Sequence, residues 1–117
     1  MGEIMYKTVG IYRKMEDVQE FERFYISEFM PRMLKLPGVL EMKISKLVPT
    51  QLPNQDPGLQ DIQLVVETYY ESAETIRQLM ATEEGRQLGS LLAAKGQGKI
   101  GAYVAQEYKV KSTVLRL

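Results

Sequence analysis

One carboxylate, Glu67, occupies an unusual position, because it interrupts the apolar and aromatic run LVVETYY (residues 64–70). Burying a charge in such a run is costly unless the charge is paired, so Glu67 is either an acid or base in a shifted environment or one half of a structural ion pair. The chain contains no His, which leaves Glu, Asp, Tyr and Lys for proton transfer. Glu28 and Arg32, on either side of Pro31, are second candidates with the same structural alternative.

Seven tyrosines form the other group of chemical interest. A tyrosine has an apolar body and a hydroxyl that needs a hydrogen-bond partner when it is buried. Several converging phenols would line an amphipathic pocket for an aromatic or polyketide-like ligand, whereas ordinary core and rim packing is the alternative. The tyrosines expected on strands, at strand ends or on the first helix are Tyr12, Tyr25, Tyr69, Tyr70, Tyr103 and Tyr108.

The composition excludes several classes of function. With neither Cys nor His in its 117 residues, the chain lacks a disulfide scaffold, a Cys nucleophile, a Ser–His triad, most zinc sites and the usual haem ligands. Its 15 basic and 15 acidic residues balance, which argues against nucleic acids and anionic membranes as partners. We therefore predict no metal, haem, flavin or other cofactor. Since neither a signal peptide nor a membrane-spanning run is expected, the predicted location is cytoplasmic.

The glycine-rich segment at residues 96–101, GQGKIG, matches the G-x-G-x-x-G pattern of dinucleotide-binding proteins. That chemistry requires a strand before the glycines and a helix after them, so that the helix N-terminus meets the pyrophosphate. Here a helix is expected before the segment and a strand after it. The segment is therefore predicted to be a helix stop followed by a loop.

Four segments rich in β-branched and aromatic residues are predicted to be strands. They span residues 4–12, 39–48, 61–70 and 99–110. The segment 49–60 contains three prolines and is predicted to be a long loop, which is often functional or mobile in a small domain.

Helices are predicted between the first two strands and between the last two. The first begins after Asp17, which is followed three residues later by Glu20 as in a capping box. Because Pro31 disfavours helical geometry in the residue before it, the regular helix should end or kink at residues 28–30. The second helix begins after Ser72, and Thr82 caps a further helical segment.

The resulting order, βαββαβ, predicts an α+β ferredoxin-like fold: a four-stranded antiparallel sheet with both helices on one face. We predict one domain over residues 1–117, with a core at about 4–110. The first and third strands carry apolar or aromatic residues on both faces, and two helices can cover only one of them. A second copy is the simplest cover, so we predict a homodimer formed through the open sheet face.

Three stretches of the chain together point to a known family. They are Ile11-Tyr12-Arg13, the series Phe24-Tyr25, Phe29-Met30-Pro31 and Leu36-Pro37-Gly38, and the turn Ala81-Thr82-Glu83-Glu84-Gly85. From about Met5 to Lys109 the chain resembles the EthD-like proteins of the dimeric α+β barrel superfamily. The EthD-like proteins are named for a protein linked to ethyl tert-butyl ether degradation. The resemblance implies the dimeric barrel and a cleft between sheet and helices. The superfamily includes cofactor-free monooxygenases, cyclases, isomerases and haem enzymes.

The resemblance also defines a candidate site. Where the family usually has His, this chain has Phe29, so any role of that His does not carry over. The candidate ligand-binding residues of the cleft are Tyr12, Tyr25, Phe29, Arg32 and Tyr69, and Glu67 is the candidate catalytic group. The lead interpretation is an EthD-like protein that binds a small apolar or aromatic metabolite as a cofactor-free catabolic or polyketide-type enzyme. The alternative is a non-catalytic ligand-binding or accessory protein.

Overall fold

The computed structural model describes residues 4–113 and contains one four-stranded sheet with the strand order β2-β3-β1-β4. The strands are β1 Ile4–Arg13, β2 Val39–Lys46, β3 Ile62–Tyr70 and β4 Ile100–Tyr108. All three strand pairs are antiparallel, which confirms the predicted α+β ferredoxin-like arrangement. Residues 1–3 and 114–117, the ends of the predicted domain, lie outside the described residues.

The helical segments are α1 Val18–Phe24, a π-helical turn Tyr25–Phe29, α2 Met30–Met33, α3 Ala73–Ala81 and α4 Glu83–Gly96. The regular α-helix ends earlier than predicted, yet the chain stays helical beyond Pro31. In the π turn the Met30 N–H donates to the Tyr25 carbonyl, five residues back. Pro31 then lies in the first turn of α2, where its missing N–H is tolerated.

Side-chain caps fix where three of the helices begin, as the sequence predicts. The Asp17 carboxylate accepts from the Glu20 N–H at 3.0 Å, and the Ser72 hydroxyl accepts from the Thr75 N–H at 3.1 Å. Each cap satisfies a backbone donor that the first helical turn leaves without a partner. Among residues 4–113, no helix has the length and apolar content that crossing a bilayer requires.

The junction between α3 and α4 is closed by Thr82. Its hydroxyl donates to the Leu79 carbonyl at 2.7 Å and accepts from the Gly85 N–H at 3.0 Å, so one side chain ends α3 and begins α4. The two helices approach so closely that a Cβ on Gly85 would lie 1.9 Å from the Leu79 oxygen. Backbone proximity therefore requires glycine in the ATEEG stretch.

The core lies between the helices and the even-numbered residues of β1 and β3. Side chains alternate between the faces of a sheet, so Tyr12, Leu64 and Val66 point toward the helices. Odd-numbered residues such as Lys7 and Glu67 occupy the other face, which the helices α1 to α4 leave open; a 3-10 turn at Pro57–Leu59 borders one end of it, near Ile11. The buried members of the main core cluster are Tyr12, Phe21, Phe24, Tyr25, Phe29, Leu64, Val66 and Leu88.

Candidate functional site

A cavity of about 170 Å³ lies between the sheet and the helices. Strands β1 and β3 form its floor, and the π turn, α2 and the first half of α4 form its walls. Most of the lining is apolar, and none of the described residues that line it carries an acidic or basic side chain. The hydroxyl groups in the lining belong to Thr8, Tyr12, Tyr25, Thr68 and Tyr70.

The π turn supplies two aromatic rings to the cavity. Tyr25 and Phe29 are four residues apart, so they lie on the same side of the helical stretch. Their ring centroids are 4.9 Å apart, and both side chains are buried. The Phe29 ring thus forms a hydrophobic wall at the position where the resembled family usually has His.

Tyr12 provides the most informative polar atom of the site. The residue is 0% exposed, and its ring packs against Phe21 with 4.6 Å between the centroids. Within residues 4–113 its hydroxyl finds no hydrogen-bond partner. A buried polar group without a partner costs about 1–3 kcal/mol, so a ligand oxygen that accepts from this hydroxyl would offset that cost.

The absence of a side chain at Gly10 makes room for this phenol. A Cβ at Gly10 would lie 2.8 Å from a Val66 methyl carbon and 3.2 Å from the Tyr12 ring. Glycine at this point of β1 therefore sets where the Tyr12 ring can lie on the cavity floor.

A second group of hydroxyls lies at the other end of the floor. The Tyr70 and Thr8 hydroxyls are 3.2 Å apart, and Thr68, which is 4% exposed, lies between Tyr25 and Tyr70 on the same face. Sequence reasoning missed Thr8 and Thr68. Both follow from strand alternation, since Thr8 is four residues from Tyr12 on β1 and Thr68 is two residues from Tyr70 on β3.

The phenols of the cavity are held in their neutral form. Burial, together with the nearby Tyr25, raises the pKa of Tyr12 far above its ordinary range. Burial likewise raises the pKa of Tyr25 and of Tyr70, although the neighbouring threonine hydroxyls oppose part of the shift. These groups can donate hydrogen bonds to a ligand oxygen at physiological pH, but they cannot serve as bases.

The structure brings together three of the six residues that the sequence assigns to the site. Tyr12, Tyr25 and Phe29 all line the cavity. Arg32 does not, because it lies on the outer surface of α2 and donates to Glu84 at 2.9 Å. That ion pair joins α2 to the start of α4. Arg32 therefore has the structural role that the sequence offered as the alternative to a role in the site.

Glu67 and Tyr69 lie on the opposite face of the sheet. The prediction that all six residues line a single cleft is therefore corrected. Their neighbours Val66 and Thr68 line the cavity, and successive strand residues point to opposite faces. Glu67 does have the specific partner expected of it: Lys7 Nζ donates to its Oε2 at 2.5 Å. As a result, the only carboxylate predicted for the cleft is separated from the cavity by the sheet itself.

The open face carries a set of polar side chains around Lys7, which we call the ion cluster: Lys7, Lys43, Glu67, Tyr69 and Glu107. Lys7 also donates to Glu107 Oε1 at 2.8 Å, and the Tyr69 hydroxyl donates to the same oxygen at 2.7 Å. Lys43 Nζ lies 4.9 Å from the centre of the Tyr69 ring. Hydrogen bonds from Lys7 and Tyr69 lower the pKa of the Glu107 carboxyl. Hydrogen bonds to Glu107 and Glu67 raise the pKa of Lys7, although burial opposes its charged form.

The lowered pKa of Glu107 predicts acid sensitivity. A carboxyl whose pKa is depressed by folding stabilises the protein above its ordinary pKa of 4.5, and this contribution is lost as the pH falls below that value. We expect the free energy of unfolding to decrease below pH 4.5, and to decrease less in Glu107→Gln. Urea titrations at pH 7 and pH 3.5 measure both, and an equal loss in the two proteins would contradict the assignment.

Comparison with solved structures places this fold among known proteins. An EthD family protein of Bacillus halodurans is 26% identical, with a TM-score of 0.73 over 88% of this chain and 98% of that one. SnoaB, a cofactor-independent oxygenase of Streptomyces nogalater, is 9% identical, with a TM-score of 0.58 over 94% and 96%. A dimeric protein of ferredoxin-like fold from Bacteroides fragilis is 10% identical, with a TM-score of 0.54 over 88% and 96%.

No protein-family model matches the chain, and no curated protein matches it. The family resemblance therefore depends on the three sequence stretches and on the fold. The Bacillus protein shares both the arrangement of elements and about a quarter of the residues, whereas the two more distant structures share the fold alone. These findings confirm the resemblance that the sequence predicts: the chain has a ferredoxin-like α+β fold and is similar to an EthD family protein.

Proposed function

We propose that this protein binds a small, single-ring ligand carrying a hydroxyl or carbonyl oxygen, in the cavity between sheet and helices. The observation that carries the proposal is the Tyr12 hydroxyl, which is buried in an apolar cavity without a partner among the described residues. The size also fits one ring, because the cavity of about 170 Å³ is close to the roughly 150 Å³ that holds benzene in an engineered core.

Binding without acid–base catalysis is the lead function. None of the described residues that line the cavity can take a proton near neutral pH, and Glu67 lies on the other side of the sheet. A cofactor-free enzyme is the second candidate, favoured by Tyr12 itself. A fixed, water-shielded donor stabilises negative charge that develops on a ligand oxygen, which would assist a substrate acidic enough to lose its own proton.

The ligand proposal predicts a selective defect in Tyr12→Phe. With 4-fluorophenol and 4-fluorotoluene as probes in ¹⁹F NMR titrations, wild type should prefer the phenol. The variant should lose about five- to tenfold in affinity for the phenol and none for the toluene, because one hydrogen bond contributes about 1 kcal/mol. Tyr108→Phe, an exposed change at the end of β4 and away from the cavity, is the matched control. Equal affinity for the two probes in wild type, or no binding of either, would contradict the proposal.

Tyr12→Phe should also leave the unliganded protein at least as stable as wild type. The substitution removes a buried hydroxyl that has no partner in residues 4–113, so it removes a desolvation cost rather than a bond. We expect the free energy of unfolding to rise by up to about 1 kcal/mol in urea titrations. A loss of more than about 1 kcal/mol would mean that the hydroxyl is already paired.

We further propose that the protein is a homodimer that buries the open sheet face. Val9, Ile11, Val65 and Tyr103 give this face its apolar area, and Tyr103 is 59% exposed in the single chain. Four strands of about nine residues make a face of roughly 19 by 30 Å, comparable to the surface that one partner contributes to a stable interface. Light scattering at micromolar concentration should give twice the mass of one chain, and a monomer there would contradict the proposal.

The cytoplasmic location and the single domain stay predictions.

A further inference from the structure

The ion cluster lies near the middle of the open face and not at its rim. Its central members Lys7, Glu67 and Tyr69 belong to β1 and β3, the two inner strands of the sheet. The side chains of Lys7, Glu67 and Glu107 are only 14%, 20% and 20% exposed, although no other element of residues 4–113 covers them. The cluster therefore already holds these charges close together and partly out of water.

The cluster is balanced in charge, which suits a face that meets its own copy. Lys7 and Lys43 supply two positive charges, and Glu67 and Glu107 supply two negative charges. In a two-fold dimer the same patch is present on both sides, so a patch of one sign would repel itself. A balanced patch does not repel itself, and each of its charges keeps an oppositely charged neighbour when water is removed.

One acceptor of the cluster is left without a donor. Glu107 Oε1 receives hydrogen bonds from Lys7 and Tyr69, whereas Oε2 is shielded from solvent and has no partner among residues 4–113. Shielded carboxylate oxygens nearly always have a donor. Because this oxygen is already out of reach of solvent within the single chain, the burial of the cluster begins before a second copy is added.

We infer that the ion cluster is the central polar contact of the homodimer and makes pairing specific for a second copy of this chain. This inference rests on the proposed dimer. In the assembled dimer the cluster is fully desolvated, and its charges stay paired on both copies. An unrelated apolar surface would remove the remaining water from these charges without returning any polar contact, so it is rejected as a partner.

A desolvated ion cluster responds to substitutions differently from an exposed one. Removing one partner of a buried ion pair is strongly destabilising, whereas replacing the whole group with apolar side chains is neutral or stabilising. Exposed pairs change little in either case. Lys7→Met leaves Glu67 and Glu107 without their central partner, while the quadruple variant Lys7→Met/Lys43→Met/Glu67→Leu/Glu107→Leu removes every charge of the cluster.

Sedimentation equilibrium of the full chain tests the inference through the dimer dissociation constant. Lys7→Met should raise it at least 100-fold, and the quadruple variant should return to within about tenfold of wild type or bind more tightly. Lys35→Met, an exposed change after α2, should have no effect. Circular dichroism verifies that each variant is folded.

The other outcomes are equally decisive. A dissociation constant of Lys7→Met within threefold of wild type would overturn the inference while leaving the dimer intact. A wild-type monomer would instead overturn the proposed dimer. If Lys7→Met does not fold, Glu107→Gln replaces it in the experiment. This variant unbalances the cluster by one charge and should weaken the dimer about tenfold. An unchanged dissociation constant in Glu107→Gln would overturn the inference.

Discussion

Gly85→Ala is expected to remove about 3–5 kcal/mol from the free energy of unfolding, a large fraction of the 5–15 kcal/mol of a typical domain. The new Cβ would lie 1.9 Å from the Leu79 carbonyl oxygen and 3.0 Å from the Thr82 hydroxyl oxygen. Because the obstructing atom belongs to the backbone, relief requires α3 and α4 to separate. That movement breaks the two Thr82 hydrogen bonds that close the junction.

Gly89→Ala is the matched control, since it makes the same chemical change one turn further along α4. A Cβ there meets nothing within 4 Å, and alanine is the better helix former by about 0.5–1 kcal/mol. We expect this variant to be slightly more stable than wild type in urea titrations. If Gly85→Ala were as stable as Gly89→Ala, the close approach of the two helices would be wrong.

Leu88→Ala is expected to cost about 2–5 kcal/mol and to enlarge the ligand cavity. Leu88 is 1% exposed, belongs to the main core cluster and lines the cavity wall. Its removal therefore takes away apolar contacts and leaves a void continuous with the site. Leu52→Ala is the control, because Leu52 is 69% exposed and does not line the cavity, so its removal should change stability by less than about 0.5 kcal/mol.

The enlarged cavity should also change ligand preference. We expect Leu88→Ala to bind a two-ring probe such as 1-naphthol, which is too large for the wild-type cavity, while Leu52→Ala keeps the single-ring preference. Fluorescence titration measures both affinities. A Leu88→Ala protein that loses stability but discriminates between one and two rings as wild type does would show that ligands bind elsewhere.

Local signals explain why so much of the fold follows from the sequence. Asp17, Ser72 and Thr82 each predict a helix start from the residue type alone, and the structure contains all three caps. The strands follow from runs of β-branched and aromatic residues, and Pro31 correctly indicates an irregular helix. The π turn itself depends on a one-residue shift of hydrogen bonding, for which the sequence carries no comparable signal.

The candidate site is less predictable because it depends on which face of each strand meets the helices. Tyr12 and Glu67 both lie in runs that are apolar on two sides, so hydrophobic alternation does not choose a face for either. The pairing of Val9 with Glu67 fixes which residues of β1 and β3 share a face of the sheet, and that register arises from tertiary packing. Tyr25 and Phe29 were easier to place, since a helix near a kink has one apolar side.

The Tyr12 hydroxyl has no partner among the described residues, so the substitution that would favour folding at this position is the one that would weaken ligand binding. Proteins commonly give up stability at positions that serve a ligand. Since one nucleotide change converts a tyrosine codon into a phenylalanine codon, laboratory selection for heat resistance alone should recover Tyr12→Phe early. Selection that also demands ligand binding should exclude it. The contrast between the two selected populations would reveal whether cells keep this phenol for a metabolite, before that metabolite is identified.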